Sequence, residues 1–133
     1  MKKGLLFIIL LVILTGCENF KSTTYTFKDV SSMSAKAAEK GYALLLEVQF
    51  CEYYGDDRVD VKTIKNCQNN ELYSFKAHEL AEKIKICVGI TLCKDGKEII
   101  SRTNWFANVI YLEQGEITEI VLDDNTMLST YMP

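Results

Sequence analysis

Interior proline is missing from this chain, whose single proline is Pro133. A second histidine is missing too, since His78 stands alone. His78-Glu79 begins like the zinc-protease pattern H-E-x-x-H, but Glu82 holds the place of the second histidine. A two-imidazole zinc site is therefore excluded. No C-x-x-C occurs, and the closest cysteines, Cys87 and Cys93, are separated by five residues. That spacing suits neither a zinc ribbon nor a dithiol redox motif. A Gly-rich phosphate loop and a nucleophile-elbow sequence are also lacking. Carboxylates gather only at Asp56, Asp57 and Asp60, and at Asp123 and Asp124 beside Asn125. Neither group has the EF-hand order of calcium ligands. The expectation is a protein with no catalytic residue, no cofactor and no metal, and hence not an enzyme.

Long hydrophobic runs are scarce. The one apolar stretch, Gly4 to Ile13 behind Lys2 and Lys3, falls short of the ~20 residues that span a bilayer as a helix. Its length and flanks fit a cleaved export signal. Leu14-Thr15-Gly16-Cys17 follows directly. This tetrad resembles the lipobox of bacterial lipoproteins, in which a small residue precedes an acylated cysteine. The resemblance implies cleavage after Gly16 and a lipid anchor on Cys17. Two or more acyl chains hold a protein stably on a membrane, whereas one does so only marginally. Glu18, where an aspartate would imply retention in the inner membrane, implies the outer membrane if the host has one. The expected layout is a signal peptide over 1–16, a lipidated tether with a short helix over 17–41, and one folded domain over 42–133.

Positive charge is in short supply. Loss of residues 1–16 removes Lys2 and Lys3, leaving 13 of the 15 basic residues against all 18 acidic ones, a net charge of −5. An acidic domain without a basic cluster is a poor partner for nucleic acid or anionic lipid. Lys83, Lys85, Lys94 and Lys97 read as a solvated face.

What the chain does have is β-forming sequence. Leu44, Leu46, Val48 and Phe50 alternate with Leu45, Glu47, Gln49 and Cys51. Ile84, Ile86, Val88, Ile90 and Leu92 line one face of the strongest strand, Lys83 to Cys93. Asp95-Gly96 supplies the left-handed positions of a hairpin turn. Tyr25 to Val30 reads as a short edge strand, Ser34 to Lys40 as a short helix closed by Gly41, and Glu52 to Arg58 as a loop. Further strands are expected over Val59 to Ile64, Leu72 to Phe75, Glu98 to Thr103, Trp105 to Leu112 and Ile117 to Leu122. Six to eight short strands with polar turns make a mainly β fold with at most one short helix, a small antiparallel β-sandwich. The segment from Lys83 to Asp123, with its Asp-Gly turn and Leu112-Glu113-Gln114-Gly115-Glu116 strand entry, resembles Ig-like or transthyretin-like envelope modules.

Exported small domains use paired cysteines. Cys51, Cys67, Cys87 and Cys93 are candidate disulfide partners, with three connectivities open. Along one strand Cys87 and Cys93 are roughly 20 Å apart, too far for a bridge. Cys51 with Cys87 is the favoured pair, since an antiparallel neighbour brings them close.

Tyr53 and Tyr54, followed by Asp56 and Asp57, form the candidate partner-binding surface, because exposed aromatics give large contact areas at low entropy cost. Trp105, Phe106 and Tyr111 are further candidates for a recognition surface, with Trp105 or Phe106 as filler of the core the alternative, and the favoured one for Trp105. The function these features point to is a membrane-anchored, non-enzymatic interaction module. It would be an accessory or pilot subunit of a secretion or conjugation assembly, with an envelope protein as partner. The alternative is an inhibitor or immunity protein against a cell-wall hydrolase or toxin, whose acidic loop would steer a basic enzyme.

Overall fold

Apolar alternation sets the strands, and two sheets close over it. The computed structural model describes residues 22–125. In chain order the elements are β1 (Thr24–Asp29), α1 (Met33–Glu39), β2 (Ala43–Tyr54), β3 (Asp57–Ile64), β4 (Leu72–Lys76), β5 (Lys83–Lys94), β6 (Lys97–Trp105), β7 (Ile110–Tyr111) and β8 (Ile117–Leu122). The smaller sheet has the order β4-β1-β8, and the larger runs β3-β2-β5-β6 with β7 also against β5. The result is the expected small, mainly β sandwich with one short helix.

The alternation puts Leu46, Val48 and Phe50 of β2 beside Ile84, Ile86, Val88, Ile90 and Leu92 of β5, all on the inner face. Tyr25 and Phe27 of β1, with Ile120 and Leu122 of β8, cover them from the smaller sheet. Phe50 is the hub, with Tyr25, Phe27 and Phe75 ring centroids 5.2–5.5 Å from its own. Each such side chain, fully buried, stabilises the fold by about 1.5–3 kcal/mol.

Several expectations need correction. Residues 24–29 are not tether or edge strand. They are the central strand of the smaller sheet, antiparallel to β4 and parallel to β8, so the sandwich begins well before residue 42 and is not wholly antiparallel. Glu52 to Arg58 is not a loop: β2 runs on to Tyr54, Tyr54 pairs with Asp57, and only Gly55 and Asp56 turn. Trp105 does not open a strand of its own. It ends β6 opposite Cys87, and the chain rejoins the same edge of β5 at Ile110 and Tyr111. Phe106, whose N–H donates to the Ile86 carbonyl, packs on the core, while Trp105 is exposed.

The candidate disulfides are also corrected, as Cys51, Cys67, Cys87 and Cys93 are all free thiols. Cys51 lies opposite Lys85, and Cys87 opposite Gln49, so the favoured pair are diagonal neighbours on the outer face of the larger sheet. Cys67 sits in the core, whereas Cys93, opposite Ala43, shares the outer face, and a sheet separates those two. The signal peptide, Cys17 and Glu18 lie outside the described residues.

Candidate functional site

The β2–β3 hairpin and the β4–β5 connection meet at one end of the sandwich. Gly55, at φ +59°, makes the turn between Tyr54 and Asp57. Its N–H donates to Glu82 Oε1 at 2.7 Å, and the Glu82 N–H donates to the Tyr53 carbonyl at 2.9 Å. These two bonds brace the hairpin tip against the 77–82 segment. The tip presents Tyr54, 55% exposed, and beside it Leu80, 53% exposed. Asp56, Asp57, Glu79 and Glu82 are exposed around them.

Two shallow clefts of about 260 and 190 Å³ open between the entry of β1, the 76–82 segment and the β7–β8 loop, and the smaller reaches the hairpin. Thr23, Glu79 and Gln114 line both, and Tyr54, Leu80 and Glu82 line the smaller. The entry of β1 is held at this same end, because the Thr23 carbonyl accepts the Ala77 N–H and Thr23 Oγ1 accepts the Gly115 N–H. Of the four sequence candidates of the hairpin, Tyr54, Asp56 and Asp57 come together here. Tyr53 does not. It belongs to the outer face of β2, where the Lys85 ammonium lies 4.9 Å from its ring centroid.

Beneath the tip lies a polar network that sequence reasoning missed. Glu52 is fully buried. Its Oε2 accepts the Tyr25 hydroxyl at 2.6 Å and the Lys62 ammonium at 3.0 Å, and its Oε1 accepts the His78 N–H at 2.6 Å. Lys62 also pairs with Asp60. Burial and then the Glu52 carboxylate raise the Tyr25 hydroxyl far above the usual phenol range. Burial works to lower Lys62, but its bonds to Asp60 and Glu52 win and hold it above the ordinary lysine value. The Lys62 hydrogen bond, with the Val61 N–H, holds Asp60 below the usual carboxylate range. Among the described residues no buried side-chain nitrogen or oxygen lacks a partner. The network ties β1 of one sheet to β2 and β3 of the other, and both carboxylate oxygens of Glu52 are engaged by the fold itself. A signal for it existed in the sequence: Glu52 falls in phase with Leu44, Leu46, Val48 and Phe50, on the apolar face.

Among the described residues, no three His, Cys, Asp or Glu side chains gather closely enough to hold a metal ion. His78 Nδ1 accepts the Leu80 N–H at 3.1 Å, which engages the imidazole in shaping the 77–82 segment. No family model, curated protein or solved structure matches the chain.

Proposed function

We propose that the chain is a lipid-anchored envelope protein whose sandwich binds another protein at the membrane, as a non-enzymatic accessory subunit of a membrane assembly. The anchor rests on the lipobox resemblance at Leu14 to Cys17. The binding end rests on one observation, the braced hairpin tip, where Tyr54 and Leu80 stand exposed among Asp56, Asp57, Glu79 and Glu82.

Geometry favours this reading over an inhibitor of a soluble hydrolase or toxin. With Cys17 acylated, only residues 18–23 separate the lipid from β1, a reach of at most about 20 Å. Thr23 and Tyr54 line the same cleft, so the hairpin tip turns toward the membrane that holds the anchor. A tip in that position meets partners embedded in or lying along the membrane. A soluble enzyme would approach more easily from the opposite end.

A crosslinked pull-down of the tagged protein from native membranes tests the reading, with Cys17→Ser as the unanchored control. Recovery of membrane-assembly subunits that disappears in the control supports it. Recovery of one soluble hydrolase or toxin, retained without the lipid, overturns it in favour of the inhibitor reading.

A further inference from the structure

Strands β3 and β6 bound the larger sheet, and β4 and β8 the smaller. An open edge presents unpaired N–H and C=O groups on which another strand can build. Both edges of the larger sheet are blunted. The Phe106 N–H donates to the Ile86 carbonyl, so even-numbered residues of β6 face β5, and Ser101, Thr103 and Trp105 turn their backbone groups outward. Asn104 Oδ1 takes the Trp105 N–H at 3.0 Å, and the register with β5 shifts between Leu92 and Cys93. In β3, Asp60 Oδ1 takes the Val61 N–H at 2.8 Å, and the register with β2 shifts between Glu52 and Tyr53. Where β3 stops short of the start of β2, the Leu46 carbonyl accepts the Cys67 N–H at 2.7 Å. In the smaller sheet, β4 has only five residues, and short edge strands resist extension.

β8 carries none of these devices. Its register with β1 is unbroken from Ile117 to Leu122. It has no lysine and no proline, and its one charge is Glu119. The Thr24 N–H donates to the Glu116 carbonyl and the Val30 N–H to the Leu122 carbonyl, so even-numbered residues face β1. Ile117, Glu119 and Val121 therefore turn their N–H and C=O groups to the other edge, where no strand among the described residues pairs with them. The side chains of Ile117 and Val121 are 67% and 47% exposed.

The chain itself brings an occupant to this edge. Asp124 and Asn125 form a turn at its Leu122 end. Asp124 Oδ1 accepts the N–H and the hydroxyl of Ser32, and the Asn125 N–H donates to Asp123 Oδ1 at 3.0 Å. A two-residue turn sends a chain back along the strand it has just left. The sequence from Thr126 to Met132 has no charge, glycine or proline. Seven extended residues reach about 23 Å, against about 20 Å for the six of β8. Counting from the turn sets Leu128 opposite Val121, Thr130 opposite Glu119 and Met132 opposite Ile117. Leu128 and Met132 would then cover the two exposed apolar side chains. A tethered segment competes for an edge at a far higher effective concentration than a second copy or a foreign strand. We propose that residues 127–132 close the open edge of β8 as its antiparallel neighbour. With β8 closed and β3 and β6 blunted, a partner meets side chains, as at the hairpin tip, rather than a strand to extend.

Backbone amide exchange on the full-length protein in detergent, followed residue by residue by NMR, tests this. In the parent, the amides of Ile117, Glu119 and Val121 should exchange at least about tenfold more slowly than those of Ser101 and Thr103 on the edge of β6. Thr130→Pro removes the N–H that faces Glu119 and should raise exchange at Glu119 and Val121 to the rate at Ser101 and Thr103. Ser129→Pro, whose nitrogen would face solvent, should leave both slow. Exchange in the parent as fast at the three β8 amides as at Ser101 and Thr103 overturns the proposal. So does protection that survives Thr130→Pro, or protection that fades on dilution, which would make a second copy the occupant.

Discussion

Glu52 shows how one residue links the two sheets. A buried carboxylate is tolerated because Tyr25, Lys62 and the His78 N–H satisfy it together. Removing Glu52 leaves the Tyr25 hydroxyl and the His78 N–H without their acceptor while Lys62 keeps Asp60, and losing the partner of a buried polar group typically costs about 1–3 kcal/mol. Glu52→Ala should lower stability by about that amount in urea unfolding, with Tyr25→Phe losing only about 1–2 kcal/mol, the scale of one hydrogen bond. Tyr25 also sets an alkaline limit. Its folded-state pKa is raised, so its contribution is fully present below the unfolded value near 10 and is lost as pH climbs beyond it. Burial likewise pushes the Cys67 thiol up to about 11 from 9.0, and its share fades between those two values. Stability measured from pH 8 to pH 11 should therefore decline, and less steeply in Tyr25→Phe. Glu52 was read as the start of a loop, although it stands in phase with Leu44, Leu46, Val48 and Phe50 on the inner face. Its partners were not legible, because Tyr25 is 27 residues away on another sheet, and no local pattern encodes that meeting.

At the scale of elements, the two long hairpins differ in how plainly they are written. Asp95 and Gly96, at φ +53° and +75°, occupy the left-handed positions that the dipeptide announces. Gly96→Val forces a β-branched side chain into that conformation and should cost about 1–2 kcal/mol, read as a lower thermal midpoint. The β2–β3 turn was read as a seven-residue loop because Tyr53, Tyr54 and three acidic or basic neighbours dilute the alternation. Brace bonds from Glu82 to Gly55 and Tyr53 complete the hairpin, and those come from a distant segment. Glu82→Ala should leave the core intact yet speed amide exchange at Gly55 severalfold, measured by hydrogen exchange. The cysteines were misread for a related reason: count and compartment suggested bridges, whereas Cys67 faces the core and Cys93 the outer surface.

The whole molecule has two unlike ends. One gathers the entry of β1, the β2–β3 tip and the acidic 77–82 segment. The other carries α1, whose N-terminal Ser32 is bonded through its N–H and hydroxyl to Asp124 at 2.7 and 2.8 Å, and the Asp95-Gly96 turn. Strand content and the sandwich were legible from period-two patterns. The pairing of β1 with β8 was not, since it joins opposite ends of the chain. The entry of β1 and the exposed tip meet instead through β4 and the segment after it, where the Thr23 carbonyl accepts the Ala77 N–H and Glu82 braces Gly55 and Tyr53, and the proposed function turns on that meeting. The most direct test is photocrosslinking in native membranes, with the crosslinking amino acid at Tyr54 in one variant and at Gly96 in another. A discrete protein adduct from position 54, absent from position 96 and lost with Cys17→Ser, is the expected result. Equal adducts from both positions, or an adduct from 96 alone, would contradict a membrane-facing binding end.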